Sequence, residues 1–161
     1  PCVSGSEGVC FHLEDRTSTN GDTIDLIDWM NRNLDPRLPV LCSMGTSGQM
    51  RAFTDNPLIV HPQFESENLR KRVQTAYEMY HCGSEESFAE TVKELGADVV
   101  IFEYYRCFIT PYTLDDKSKN CDKSRHKSPD DLLCYKLHSA STKYFELIFA
   151  NAGYAVFALR R

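Results

Sequence analysis

The residues whose types could do chemistry are a glycine-rich turn, a scatter of cysteines and histidines, and two acidic pairs. Gly45-Thr46-Ser47-Gly48 follows a short apolar run, and small residues there would let backbone N–H groups approach an anion. It lacks a third glycine at dinucleotide-fingerprint spacing and a Gly-Lys-Ser/Thr ending, so it reads as an ordinary glycine-rich loop. Cys121, His126, Cys134 and His138 carry metal-ligand side chains separated by four, seven and three residues, but no C-x-x-C pair stiffens the set. Disulfides suit these cysteines better: Cys107–Cys121 across a charged loop is the first expectation, Cys134 is the competitor, and a Cys2–Cys10 bridge can clip the N-terminal stretch. His81-Cys82 is an adjacent pair at a helix end, where neighbouring side chains diverge, so Cys82 reads as a packing or disulfide residue and not as a nucleophile. Asp115-Asp116 and Asp130-Asp131 lie in polar sequence and read as solvated surface. His61, between an apolar run and Pro62, can project toward the loop edge of a sheet, with capping or packing as the plainer reading. No catalytic residue, metal site or cofactor is assigned.

Size and charge narrow the partners. A chain of 161 residues suits one domain with one core. With 18 basic residues against 23 acidic ones and a net charge of -5, it has no counterion-release drive onto nucleic acid, which is therefore excluded as a partner. No apolar run approaches the ~20 residues a bilayer span needs. Pro1 and its neighbours lack a start Met and a signal-peptide core, so a soluble fragment is expected. Seven cysteines suggest an oxidising compartment, and the odd count leaves at least one unpaired within the chain.

The elements that must position these groups follow from periodicity. Residues 1–21 read as an irregular approach or linker, and residues 22–161 as one α/β domain. Asp22 or Thr23 can cap a helix with Ile24, Ile27 and Met30 at helical spacing, stopped by Asp35-Pro36 and Pro39. Pro39 to Met44 and Leu58-Ile59-Val60 read as short buried strands. Leu69, Val73, Tyr77 and Tyr80 form one helical stripe ending at Cys82-Gly83. Ser84 caps a second helix with Glu85 and Glu86 in its first turn, Phe88, Val92 and Leu95 inward, and Gly96 as its stop. Ala97 to Phe102 is continuously apolar and predicts a central strand covered on both faces. Tyr112 to Asp131 predicts an exposed loop, Ser139 to Asn151 a helix, and Tyr154 to Leu159 a closing strand. The expected fold class is α/β, a small sheet of about four strands flanked by helices.

The succession Asp25-Leu26-Ile27-Asp28-Trp29-Met30, Val40-Leu41-Cys42-Ser43-Met44, Ile59-Val60-His61-Pro62-Gln63-Phe64-Glu65, Leu69-Arg70-Lys71-Arg72-Val73 and Ala76-Tyr77-Glu78-Met79-Tyr80 resembles the C-terminal region of the dumpy-19-like protein C-mannosyltransferases. The resemblance continues through Asp98 to Glu103, Cys107, Cys121, Leu133-Cys134 and Tyr144 to Asn151. The family's Asn-His-Pro-His-Tyr-Glu-Asp segment is only partly kept: His61, Pro62 and Glu65 persist, while Val60, Gln63, Phe64 and Ser66 replace the others.

This resemblance implies the luminal C-terminal domain of a polytopic endoplasmic-reticulum membrane glycosyltransferase. Its donor would be dolichyl phosphate mannose, and its product mannose on C2 of a Trp indole. It implies as partners the transmembrane portion of the same polypeptide and Trp-containing acceptor polypeptides. Met44, Gly45, Ser47, Gly48, Gln49, His61 and Pro62 are the expected acceptor contacts. The family's acidic catalytic residue lies in an early luminal loop, so ten or more spanning segments are expected ahead of Pro1 in the parent chain. The oligosaccharyltransferase catalytic subunit is the runner-up, but its Trp-Trp-Asp-Tyr-Gly signature is replaced here by Ser43-Met44-Gly45-Thr46-Ser47-Gly48. A third reading is a non-enzymatic luminal interaction domain derived from such a tail.

Overall fold

The computed structural model of the chain describes residues 20–60, 67–80, 83–109, 132–137 and 141–161. Helix α1 runs over Asn20–Asn33, starting two residues ahead of the expected cap. It buries Leu26 and Met30, one turn apart, and leaves Ile24 exposed. Strand β1 is only Val40–Leu41, after which Cys42 and Ser43 stay buried.

The glycine-rich turn is a correction to the loop reading, because Met44–Phe53 forms helix α2. Ser43 holds an extended conformation and its side chain accepts from the Thr46 N–H, an N-cap that starts the helix despite two glycines. Met50, fully buried, anchors the helix against the sheet, and such tertiary burial outweighs a propensity cost of roughly 1 kcal/mol per glycine. The expected strand at Leu58 reduces to an isolated parallel bridge with Val40. The Asn56 side chain fixes this connection by donating to the carbonyls of Asp35 and Leu38.

Helices α3 (Glu67–Glu78) and α4 (Glu85–Glu94) follow, α4 as expected and α3 ending at Glu78, ahead of the expected stop at Cys82-Gly83. Ser84 caps α4 by accepting from the Ser87 N–H at 3.1 Å, Glu85 and Glu86 occupy the positive first turn, and Gly96 turns the chain with φ 74°. Strand β2 (Val99–Glu103) then leads through Tyr104 into a single π-helical turn, Tyr105–Ile109. The short helix α5 spans Leu133–Leu137.

The helix expected over Ser139 to Asn151 is not formed: Phe145–Ala150 is strand β3, hairpinned to β4, Tyr154–Leu159. Its aromatic and β-branched run pairs with the apolar β4, and the Asn151 carboxamide oxygen closes the turn by accepting from Gly153 and Tyr154 N–H groups. A bulge between Leu147 and Phe149 breaks the register, which also breaks the period-2 pattern in the sequence. The expected loop over 112–131 lies outside the described residues, as do His61, Pro62, His81, Cys82 and residues 1–19.

The sheet order is β1-β2-β4-β3, with β1 and β2 parallel and the other pairs antiparallel. Both faces are covered. Leu41, Val100, Phe102, Ala155 and Phe157 pack with Met79, Phe88, Val92 and Leu133 of the α3–α5 side. Val40, Val99, Ile101 and Val156 pack with Leu26, Met30 and Met50 of α1 and α2. The large buried Phe102, Phe145 and Phe157 each contribute about 1.5–3 kcal/mol of burial. Among the described residues no helix is long and apolar enough to cross a membrane.

Candidate functional site

Strands β1 and β2 run parallel and in register, so their C-terminal ends lie side by side. In open α/β sheets that edge is where ligands bind, outside the strand ends. Here β1 feeds through Cys42 and Ser43 into α2, while β2 ends on Glu103 and turns into Tyr105 and Arg106. The β3–β4 turn reaches the same edge, because Tyr154 is the register partner of Glu103. Between them lies a cleft of about 240 Å³, lined by Gly45, Thr46 and Gln49 from α2, Glu103, Tyr105 and Arg106 from the end of β2, and Tyr154 from β4.

Glu103 organises the cleft. One carboxylate oxygen accepts from the Ser43 hydroxyl at 2.6 Å and from the Thr46 hydroxyl; the other accepts from Arg106 Nε in an ion pair. Its backbone N–H donates to the Tyr80 hydroxyl at 2.9 Å. Arg106 lies over the Tyr77 ring, 5.2 Å from its centroid, and the Tyr77 hydroxyl accepts from the Met44 N–H. The carboxylate thus sits at the positive end of α2, on its cap residue and first turn.

The buried charge is felt by its neighbours. Burial, reinforced by the Glu103 charge, pushes both the Cys42 thiol and the Tyr80 phenol well up from their ordinary ranges. Burial alone would lower the Arg106 guanidinium, but Glu103 outweighs it and the net shift is upward. Cys42 is therefore an inert buried thiol. Glu103, held by two hydroxyls and a guanidinium, is a structural anion, and an acid or base in proton transfer would have to give those bonds up. Among the described residues no group of His, Cys, Asp and Glu could hold a metal ion.

Of the expected contacts, Gly45 and Gln49 line the cleft. Ser47 is buried, its hydroxyl donating to the Met44 carbonyl; Met44 packs against the core; Gly48 faces open space. His61 and Pro62 lie outside the described residues. Glu103, Tyr105, Arg106 and Tyr154 were not anticipated as site residues. A signal did exist: an acidic residue ends an apolar central strand with Arg106 three positions on.

The expected Cys107–Cys121 bridge is corrected to Cys107–Cys134, with Cα atoms 6.1 Å apart. Leu132, Leu133 and Leu137 bury α5 in the core that holds Cys107, which brings Cys134 to it; spacing alone could not choose between the two. The bridge ties the turn carrying Tyr105 and Arg106 to α5. Cys121, Cys2 and Cys10 lie outside the described residues.

Known proteins resemble both the sequence and the fold. The family model described as "Dpy19: Q-cell neuroblast polarisation" matches residues 11–159. Protein C-mannosyl-transferase DPY19L1 of Mus musculus is 24% identical over 144 residues, covering 85% of this chain and 18% of that protein. C-mannosyltransferase dpy-19 of Caenorhabditis briggsae is 25% identical over 89 residues, covering 55% of this chain and 13% of that protein. The chain thus spans less than a fifth of the length of these curated relatives. The fold is similar to the C-terminal globular domain of an oligosaccharyltransferase from Archaeoglobus fulgidus, with a TM-score of 0.62 at 15% identity, covering 89% of this chain and 99% of that one. With the family model matching nearly the whole length, the chain belongs to the Dpy19 family.

Proposed function

We propose that this chain is the C-terminal luminal domain of a protein C-mannosyltransferase of the endoplasmic-reticulum membrane. The parent enzyme transfers mannose from dolichyl phosphate mannose to C2 of a Trp indole in secretory-pathway polypeptides. The family match over residues 11–159 carries this reading, and relatives named as C-mannosyltransferases support it. Forming a carbon–carbon bond from a lipid-linked sugar needs a membrane-facing donor site and acid/base help at the indole. The cleft supplies neither, since its carboxylate is already engaged. The role of this domain is to brace the membrane portion of the same polypeptide and to line part of the acceptor groove with Gly45 and Gln49. The disulfide fits an oxidising compartment such as the lumen.

The test is mass spectrometry of a secreted, Trp-containing acceptor made in cells that lack C-mannosylation, with and without the full-length protein. A hexose on Trp C2 that requires the protein supports the reading. Glycan on Asn instead would favour an oligosaccharyltransferase-like activity, the alternative suggested by the fold, and no sugar on either residue would favour a non-enzymatic interaction domain. Protease protection of the C-terminal domain in microsomes checks its luminal side.

A further inference from the structure

We infer that the sheet edge holding the C-terminal ends of β1 and β2 presents a docking surface, centred on Ile24 and Tyr105, against which the membrane portion of the same polypeptide packs. This rests on the reading above for the existence of that portion and goes beyond it in assigning the face.

Among the described residues the exposed large hydrophobic side chains are Ile24 at 59%, Phe53 at 63% and Tyr105 at 49%, and Ile24 and Tyr105 share one edge. The first turn of α1 is fastened to the β3–β4 turn: Thr23 Oγ1 lies 2.9 Å from the Tyr154 hydroxyl, and the Asn151 carboxamide donates to the Asp22 carbonyl at 2.8 Å. The approach is close enough that a Cβ on Gly153 would stand 3.0 Å from the Asp22 Cβ. The Tyr104 N–H donates to the Gly153 carbonyl, which brings the exit of β2 and Tyr105 to the same turn. Ile24 and Tyr105 therefore flank the β3–β4 turn where β2 ends. Phe53 lies at the other edge, its carbonyl accepting from Asn31, about 12 Å along α1 from Thr23.

The two edges differ in charge as well. Beside Ile24 and Tyr105 stand exposed Gly21, Gly45 and Ala152, small residues that let another backbone come close, with Asp25 at the margin; Arg106 is already neutralised by Glu103. The opposite edge carries Arg32–Asp28, Arg37–Asp35 and Arg161–Asp98, ion pairs with exposed guanidinium groups at the end of α1, the start of β1 and the end of β4. Such an edge suits water, whereas apolar groups with little unpaired charge suit the centre of an interface. Covalent connection selects the occupant. A separate partner needs roughly 800 Å² on each side for a stable complex, more than this small patch supplies. A partner on the same chain needs far less, because a short tether holds it at roughly millimolar concentration. Helix α1 begins at this edge, so the polypeptide preceding Asn20 joins the domain beside Ile24, and the chain covers only 18% of its mouse relative.

The experiment uses the full-length protein in microsomes, with the photo-crosslinker p-benzoylphenylalanine placed at Ile24, Tyr105 or Phe53 in turn and a protease site inserted between Gly5 and Ser6. After irradiation and cleavage, a denaturing gel should show the domain still joined to the membrane portion for Ile24 and Tyr105, at about tenfold the yield for Phe53. Ile24→Asp should cut the Tyr105 link about tenfold, because docking would bury an unpaired carboxylate, and Ile24→Val should keep it. The three links in the otherwise unaltered protein decide the matter even where the Asp variant fails to fold. A link from Phe53 alone, or from none of the three positions, would overturn the assignment. So would a link from Ile24 or Tyr105 to a second copy, seen at twice the full mass, or to an added acceptor polypeptide in place of the membrane portion. The Ile24 and Tyr105 links without any hexose on Trp would keep the docking face and sink the enzyme reading. Hexose on Trp without those links would do the reverse.

Discussion

The hydroxyl of Ser43 does two jobs, and removing it should cost more than a helix cap. It is fully buried, accepts from the Thr46 N–H at 3.4 Å, and donates its one proton to Glu103 at 2.6 Å. The capping contact is long and belongs at the low end of the range, about 0.5 kcal/mol. The short bond to a carboxylate that is only 12% exposed is worth about 2 kcal/mol, because the acceptor is charged and poorly solvated. Ser43→Ala should therefore lose about 2.5 kcal/mol, which for a domain of this size lowers the melting temperature by roughly 5–10 °C. Ser84 provides the control: it caps α4 at 3.1 Å with no carboxylate behind it, so Ser84→Ala should lose about 1 kcal/mol. Urea unfolding of both variants, and of Ser43→Ala in a double-mutant cycle with Glu103→Gln, measures the difference. A coupling near 1 kcal/mol is expected, about the excess of a charged over a neutral acceptor. If Ser43→Ala costs no more than Ser84→Ala and the coupling is zero, the view of Glu103 as an anion held by α2 fails.

Two glycines should respond in opposite directions. Gly48 lies within α2 facing open space, so Gly48→Ala should stabilise the protein by about 0.5–1 kcal/mol, whereas Gly96→Ala, at φ 74°, should destabilise it by about 1 kcal/mol; thermal unfolding reads both. Replacing Cys107 and Cys134 together by serine opens a closure of 27 residues and should cost about 3.5 kcal/mol, visible as a lower urea midpoint. Asp35 is bonded by the Arg37 side chain and backbone, which hold its carboxyl at about 2. Because the folded value lies below the unfolded one, its contribution is present above the usual carboxylate range and is lost as pH falls toward 2. NMR titration should give a midpoint near 2, and Arg37→Ala, which removes the guanidinium but keeps the backbone N–H bond, should raise it only part of the way toward the ordinary carboxylate range.

Some of this was legible in the sequence and some was not, for identifiable reasons. Around α4 the cap, the acidic first turn, the apolar stripe and the terminating glycine all agree, and the helix forms where they place it. The continuous apolar run at Val99 likewise announced a strand covered on both faces. The misreading of β3 traces to its bulge. Phe145 and Leu147 join one core, but Ile148 and Phe149 both join the other, and the resulting spacing imitates a helix. The glycines of α2 hid a helix held by tertiary contacts at Met50 and Glu103, which no local pattern reports. For the site, two residues of the segment that the sequence offered for acceptor contact, Gly45 and Gln49, line the cleft. The sequence could not supply the opposing side, because the meeting of Glu103 and Arg106 with α2 depends on a parallel pairing between distant segments.

That same bulge determines how another polypeptide can approach. A sheet edge is a template for strand addition, and among the described residues β3 lies at an edge of the sheet. The register breaks at Ile148, and the Leu147 N–H is taken by the Ser141 hydroxyl at 2.9 Å, so an incoming strand would find the ladder interrupted and one of its donors spent. At the other edge the segment around Leu58 already bonds to β1, with Val40 N–H on the Pro57 carbonyl and Ile59 N–H on the Val40 carbonyl. Among the described residues, neither edge therefore offers an uninterrupted ladder to a neighbouring copy.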